Sequence, residues 1–225
     1  MRFINRVVTT IHLENYNTTK PTDGAEAKSR WKRFSSFKGH LSSQILNEQH
    51  GLCGYTELIP SDYGLGTHLE HIKPKSKYPL ETFSYKNLIV SSLSHTDSQR
   101  ADLNKNKNFG GQYKNNEYDE NSFLSCTRSD IANFFTYLND GYIQPNRNLS
   151  DLETKQALYT IDTLNLNAIF LVNRRRQVIQ NINDEIYDSL NQPALAKEII
   201  NYYTTPQNGL FPASFVTAIQ QNSGI

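Results

Sequence analysis

Residues 68–100 contain several side chains whose chemistry suits the hydrolysis of a phosphodiester. They include the adjacent pair Glu70 and His71, then Asn87, and then a further histidine, His95. A neutral imidazole can take a proton from water near neutral pH. A carboxylate can hold a hard divalent cation, which neutralises charge that develops on a phosphate. The order of these residues favours metal-assisted phosphodiester hydrolysis.

Basic residues follow the Glu-His pair and are candidates for phosphate contacts. They are Lys73, Lys75, Lys77 and Arg100. Such contacts position a nucleic acid and add affinity, but they do not read its sequence. Residues 1–110 carry 15 Lys and Arg against 10 Asp and Glu, whereas residues 111–225 carry 8 against 12. The first part of the chain is therefore predicted to face nucleic acid.

The alternation of side chains along a strand sets a condition on Glu70 and His71. In a regular strand Glu70 shares a face with His68, and His71 points the other way. The pair can serve one phosphate only if the strand ends there, and Pro74 favours such an end. We interpret His68 as a surface or structural histidine.

Short strands and amphipathic helices are predicted to position these residues, which gives an α+β fold class. Residues 1–20 are predicted to contain a short strand, and residues 26–50 one or two helices. Two short strands around a loop are predicted in residues 51–72, and a further short strand or buried segment at 87–90. Thr96 is the predicted N-cap of a helix, because Gln99 completes a capping-box spacing. The polar run that begins at residue 101 is predicted to be an exposed loop.

From residue 129 onward the periodicity predicts helices. Ser150 and Glu153 have the spacing of a capping box, and Pro193 opens a further helix through Tyr203. Pro206 and Pro212 are predicted to bracket the last helix. The helix after Asn167 carries an apolar stripe, formed by Val172, Ile179, Ile182, Ile186 and Leu190. This stripe is predicted either to pack into the chain's own core or to dock on a partner protein.

The composition indicates a globular chain, with 37% hydrophobic and 20% charged residues. No apolar run approaches the ~20 residues that span a bilayer, and the first residues lack the apolar core of a signal peptide. Two cysteines, Cys53 and Cys126, give no disulfide framework. A cytoplasmic protein without membrane association is expected.

The segment LEHIKPKSKYPLETFSYKNLIVSS resembles the ββα-metal (HNH) endonuclease motif in its Glu-His-x-x-Pro-Lys-Ser form. With GLCGYTE, DGYIQP and TIDTLNLNAIFLVNRRRQVI, it is similar to the nuclease subunit of Septu-type and retron-associated anti-phage systems. The resemblance extends from Met1 to the helix after Asn167. It implies a ββα-metal nuclease core at 51–110. That core is flanked by an N-terminal strand and helical segment at 1–50. On its other side is a helical region at 111–225, for partner docking and core support.

The resemblance also implies a role for each motif residue. His71 matches the general base, Glu70 the metal-ligating acid, and Asn87 the asparagine that holds the catalytic loop by hydrogen bonding. The third motif position falls near Thr96, a poor ligand, so His95 is favoured as the second metal ligand, with Asp97 as the alternative. The implied cofactor is one divalent ion, Mg²⁺ or Mn²⁺.

Many members of the family hold a structural zinc with two Cys-x-x-Cys pairs. The matching positions here are Cys53, Thr56, Ser92 and His95. One thiol is left, and a tetrahedral zinc site needs four good ligands, so no structural zinc is predicted. Packing is expected to hold the unit together instead, through Leu52, Tyr55, Leu88, Ile89 and Val90.

The partners implied by the resemblance are an ABC-type ATPase subunit and a DNA or RNA substrate. In some operons a reverse transcriptase with its multicopy single-stranded DNA is added. The alternative is a catalytically inactive HNH-fold subunit that binds nucleic acid or scaffolds the ATPase. A zinc-dependent enzyme for small molecules is disfavoured, because the sequence has neither a Gly-rich phosphate loop nor an HExxH motif.

Overall fold

Helices and two small antiparallel sheets make up the fold in a computed structural model, which describes residues 1–6, 9–99, 108–189 and 192–223. The helices are α1 (Ile11–Asn17), α2 (Gly24–Arg33), α3 (Ser35–Glu48), α4 (Gly110–Lys114), α5 (Asp151–Thr163), α6 (Ile169–Asp188), α7 (Pro193–Thr204) and α8 (Val216–Asn222). The strands are β1 (Thr67–His71), β2 (Leu88–Ser92), β3 (Phe135–Tyr137) and β4 (Ile143–Pro145). This mixture is compatible with the predicted α+β class.

The β1–β2 pair contributes to both large apolar clusters of the fold. The strands are antiparallel, with Thr67 opposite Ser92 and His71 opposite Leu88. Every residue of β2 is buried. Leu88 and Val90 pack with residues of α2 and α3, whereas Ile89 packs into a second apolar cluster. Alternate residues of β2 thus serve two different parts of the core, as the period of a strand requires.

Helices α2 and α3 confirm the helices predicted for residues 26–50. The strand predicted within residues 1–20 is wrong at Ile11–Asn17, where helix α1 forms. Thr10 Oγ1 accepts a hydrogen bond from the Leu13 backbone N–H and caps that helix. Asp23 caps α2 in the same way, with bonds from the N–H groups of Ala25 and Glu26. The side-chain cap at Thr10 therefore favours a helix over the strand that the weak alternation of apolar residues predicts.

Of the two strands predicted around a loop in residues 51–72, the second is confirmed as β1. The first is wrong, because residues 51–66 form turns and a 3-10 turn at Pro60–Tyr63. Gly51, Glu57 and Gly64 have positive φ angles there, and such angles interrupt an extended chain. The predicted packing residues are all buried, which confirms that prediction: Leu52, Tyr55, Leu88, Ile89 and Val90.

Part of the predicted exposed loop after residue 100 is a short helix packed on β2. Gly110 has a φ of +60°, and the Gly111 N–H donates to Ser91 Oγ. Lys114, at the end of α4, is buried. The predicted helix at Thr96 is a 3-10 turn at Asp97–Gln99 in its described part, and residues 100–107 lie outside the described residues.

The C-terminal helices α5, α6 and α7 confirm their predictions, including the reciprocal capping box of Ser150 and Glu153. The β3–β4 pair was not predicted, and the last helix begins at Val216, beyond Pro212. The apolar stripe of α6 is buried inside the chain at Val172, Ile179, Ile182 and Ile186, while Leu190 lies outside the described residues. The described part of the stripe is thus core, and it is not a docking surface.

One apolar core joins all three predicted segments of the chain. Met1, Ile89, Phe109 and Phe215 belong to the same buried cluster. Within the described residues, no helix is long and apolar enough to cross a membrane.

Candidate active site

A polar cavity of about 230 Å³ lies at the end of β1. It is lined by residues of β1, of the loop that follows and of the α4 region: His68, Leu69, Glu70, His71, Pro74, Lys75, Gly111, Gln112, Asn115 and Asn116. The strand ends at His71, as the presence of Pro74 predicts. Glu70 and His71 therefore line the same cavity although they are neighbours in sequence.

His71 is held in one tautomer by a backbone contact. Its Nε2 lies 3.0 Å from the carbonyl oxygen of Thr82, and its ring packs edge-on against Trp31 with 4.5 Å between centroids. A carbonyl oxygen only accepts hydrogen bonds, so Nε2 carries the proton and the lone pair of the neutral ring is on Nδ1. Burial, then the nearby positive charge of Lys75, lowers the pKa of His71 to about 3. The ring is neutral at pH 7 and can accept a proton.

Glu70 is an ionised carboxylate with two differently partnered oxygens. Oε1 accepts a 2.8 Å hydrogen bond from Lys114 Nζ, and Oε2 lies 3.5 Å from His68 Nε2. Burial opposes ionisation, but the ammonium of Lys114 and the imidazole of His68 outweigh it and lower the pKa of Glu70. One oxygen is thus fixed by a cation, and the other faces a histidine.

Lys114 was missed by the sequence analysis. Its side chain is 1% exposed, and Nζ also donates to the backbone carbonyl of His71 at 3.1 Å. It therefore links the Glu70 carboxylate to the backbone of the neighbouring His71. The one local signal is the Gly110–Gly111 pair before it. A Cβ on Gly111 would lie 2.7 Å from His68 Nε2, so a residue without a side chain is needed for α4 to approach β1.

The three predicted phosphate-binding lysines have different surroundings. Lys73 pairs with Glu120, and the exposed Lys77 lies 4.0 Å from Glu117. Lys75 is half-buried, lines the cavity, and has no hydrogen-bond or ion-pair partner among the residues that the structure describes. Lys75 is therefore the lysine of this loop best placed to meet a ligand in the cavity. Arg100, the fourth predicted contact, lies outside the described residues.

Asn87 holds the loop between β1 and β2. Its Oδ1 accepts from the Lys73 backbone N–H at 2.7 Å, and its Nδ2 donates to the carbonyls of Lys73 and Glu81, both at 3.0 Å. Asn87 does not line the cavity. Its hydrogen bonds to the backbone of the loop are those that the resemblance implies.

The structure does not bring His95 or Asp97 to Glu70. Asp97 Oδ2 accepts hydrogen bonds from the Gly66 N–H and from Ser94, beside the start of β1. Gly66 directly precedes β1, and Glu70 is four positions further along the extended chain, which is about 13 Å. His95 is exposed and lies 3.1 Å from Gln99 through Nε2. Neither residue lines the cavity, so the second metal ligand predicted from the motif spacing is not found at this site.

At the positions of the family's structural zinc, a cysteine and a serine meet. Cys53 Sγ accepts hydrogen bonds from Ser92, from the backbone N–H and from the hydroxyl, both at 3.2 Å. Thr56 is buried and His95 is exposed. The thiol is thus satisfied by hydrogen bonds at a position where the family places a zinc ligand.

The donors at the cavity fit a divalent ion that takes few ligands from the protein. Among the described residues no three His, Cys, Asp or Glu side chains converge. Mg²⁺ is commonly bound through one or two carboxylates, with water and substrate phosphate as the other ligands. Glu70 is ionised, and its Oε2 faces His68 instead of Lys114, so it can serve as such a carboxylate.

A comparison of the sequence with models of known protein families finds no match, and a comparison with curated proteins finds none either.

Proposed function

We propose that this chain is a metal-dependent HNH endonuclease that hydrolyses phosphodiester bonds of nucleic acid. The observation that carries the proposal is the neutral, oriented His71 in a polar cavity beside Glu70 and Lys75. A proton acceptor, a carboxylate and an unpaired cation are the groups that this hydrolysis needs.

The surrounding elements support the assignment to the ββα-metal class. β1 and β2 are antiparallel, and α4 lies against the hairpin at Gly111, over the face that carries His68 and Glu70. The loop between the strands is pinned by Asn87, as in the motif. In this proposal the α4 helix, and not the turn at Thr96, covers the site.

In the proposed reaction His71 Nδ1 takes a proton from the attacking water, while Thr82 holds the ring through Nε2. Lys75 contacts a phosphate oxygen, and Lys114 fixes the Glu70 carboxylate. Glu70 would hold a divalent ion, which when bound neutralises charge on the phosphate and on the leaving oxygen.

Substrate binding is expected to strengthen His71 as a base. The ammonium of Lys75 is, after burial, the next cause that lowers the pKa of His71. A phosphate bound to Lys75 offsets that positive charge, so the pKa of His71 rises towards its ordinary range. A stronger base near neutral pH is the more effective one.

The biological role follows from the resemblance. We propose that the chain is the effector nuclease of an anti-phage complex with an ABC-type ATPase. The helical part after residue 111 is acidic overall, which suits contact with protein better than contact with phosphate.

A second candidate is an inactive HNH-fold subunit that binds nucleic acid or scaffolds the ATPase. The Lys114–Glu70 ion pair favours it, because it already supplies Glu70 with a cation. In that case Glu70 needs no metal, and Lys75 alone attracts phosphate.

A cleavage assay separates the two candidates. The purified chain, alone and with the ATPase from its operon, is incubated with plasmid DNA and with tRNA, in Mn²⁺ or Mg²⁺ and in EDTA. The proposal predicts metal-dependent cleavage that His71→Ala abolishes and that His40→Ala, at an exposed histidine, retains. Binding without cleavage by the complex under all these conditions would instead support the inactive subunit.

A further inference from the structure

A backbone contact orients the ring of His68, which the sequence predicts to be a surface or structural histidine. Its Nδ1 lies 2.6 Å from the carbonyl oxygen of Leu93. Because that oxygen only accepts, Nδ1 carries the proton, and the lone pair of the neutral ring is on Nε2. Leu93 has a φ of +68°, in the left-handed region, directly after the end of β2.

The Nε2 atom of His68 faces the second oxygen of Glu70, Oε2, at 3.5 Å. A proton on Nε2 makes this contact an ion pair, which lowers the pKa of Glu70. Without that proton two lone pairs face each other, so another cation is needed between them. Lys114 does not meet this need, because its contact is with the other oxygen, Oε1.

The separation of these two atoms fits a shared metal ion. Metal–nitrogen and metal–oxygen bonds of about 2.0–2.2 Å place adjacent ligands roughly 3 to 3.6 Å apart. The Lys114 bond restricts rotation of the carboxylate, and the Leu93 bond restricts rotation of the imidazole. Gly111 keeps this place clear, because a Cβ there would lie 2.7 Å from Nε2 and 2.9 Å from the Glu70 Cδ.

We infer that His68 Nε2 and Glu70 Oε2 together bind the divalent cation, and that His68 gives the site a preference for cations that accept nitrogen ligands. The inference rests on the proposed function, since it names the ligand that the motif spacing assigned to His95 or Asp97. Mg²⁺ takes oxygen ligands, whereas affinity for sites that contain nitrogen rises along the first-row transition metals, of which Mn²⁺ is the first and weakest binder. Water and substrate phosphate complete the coordination.

Calorimetric titration of the full chain with MnCl₂ and, separately, MgCl₂ tests the inference. We expect wild-type protein to bind Mn²⁺ at least tenfold more tightly than Mg²⁺. His68→Asn keeps a side-chain N–H for the Leu93 carbonyl but removes Nε2. We expect it to weaken Mn²⁺ binding at least tenfold and to change Mg²⁺ binding much less. His95→Ala is the matched control and should bind both ions as the wild type does.

The inference is overturned if His68→Asn, folded by circular dichroism, binds Mn²⁺ as tightly as the wild type. Equal affinity of the wild type for the two ions, or binding of neither, would also overturn it. If His68→Asn misfolds, Gly111→Ala offers a second variant, because its Cβ intrudes at Nε2 from α4. It should also weaken Mn²⁺ binding, and unchanged binding would contradict the site.

These outcomes are separate from those of the cleavage assay. Manganese bound through His68 by a chain that cleaves nothing would uphold this inference and reject the proposed function. If cleavage requires His71 but the His68→Asn variant binds Mn²⁺ as the wild type does, the proposed function is upheld and this inference is rejected.

Discussion

Glu57 and Glu70 are both buried carboxylates beside a cation, yet their surroundings differ. Glu57 is 1% exposed and contacts the Met1 amino group at 3.1 Å. Thr217 donates to it twice, from the backbone at 2.8 Å and from the hydroxyl at 2.7 Å. Both oxygens are satisfied, and although burial opposes ionisation, these partners lower the pKa of Glu57.

Glu70 has one oxygen held by Lys114 and one that faces His68 Nε2 beside a polar cavity. The pKa of Glu70 is lowered as well, against burial, chiefly by Lys114. A buried ionised carboxylate is therefore no sign of a functional site by itself. Incomplete partnering next to open space distinguishes Glu70 from Glu57.

The largest expected effect on stability is at Glu57. Glu57→Gln leaves the buried Met1 amino group without its counter-charge, so we expect the free energy of unfolding to fall by about 3–5 kcal/mol. Glu70→Gln also leaves a buried ammonium, that of Lys114, without its counter-charge. It should cost less, about 1–3 kcal/mol, because Lys114 keeps the carbonyl of His71 and water can enter the cavity. Urea denaturation of both variants in EDTA measures the difference. Equal losses would remove the distinction between the two carboxylates.

A second prediction concerns pH and His71. The pKa of His71 is about 3 in the folded chain, below the ordinary value of 6.5, because of burial and Lys75. The unfolded chain therefore takes up a proton at His71 below pH 6.5, whereas the folded chain does not until about pH 3. Stability falls as pH falls through this window, by about 2 kcal/mol between pH 7 and 5.

His71→Gln should remove that part of the pH dependence while it keeps a side-chain N–H for the Thr82 carbonyl. Urea denaturation at pH 7 and pH 5 in EDTA provides the comparison. Between these values the carboxyls with lowered pKa, Glu57 and Glu70, stay ionised in the folded chain. A variant with the same pH slope as the wild type would show that His71 titrates normally.

Much of the site's chemistry was predictable from sequence because it lies in one segment. Glu70, His71, Lys75 and the end of β1 before Pro74 belong to that segment, and local spacing predicts their arrangement. Lys114 lies 44 residues from Glu70 in an Asn-rich run with no hydrophobic periodicity. Long-range packing of that kind leaves no periodic signal in the sequence.

Other site residues depend on contacts of the same long-range kind. The ring of His68 is oriented by the carbonyl of Leu93, which belongs to the segment after β2. The ligand role of Asp97 was inferred from motif spacing, but its carboxylate is used to cap the turn after Ser94. The helices were predicted better, because the capping box of Ser150 and Glu153 is local.

The smallest expected effect is on nucleic-acid binding, and it distinguishes two lysines of the loop that follows β1. Lys75→Ala should reduce the salt dependence of nucleic-acid binding by about one phosphate contact, a slope change of roughly 0.9 for duplex DNA. Lys73→Ala should change it less, because Lys73 is already paired with Glu120. Fluorescence anisotropy in EDTA at several salt concentrations measures both slopes. A larger change for Lys73→Ala would place the phosphate outside the cavity.

Single-turnover cleavage by Glu57→Gln and His71→Gln, expressed per folded molecule, tests the central claim most directly. The wild-type complex with its ATPase, in Mn²⁺, supplies the reference rate. Glu57→Gln should cleave at nearly the wild-type rate although it is less stable, because Glu57 does not line the cavity. His71→Gln should be slower by about 10² or more, since it lacks the proton acceptor. A wild-type rate for His71→Gln would contradict the account.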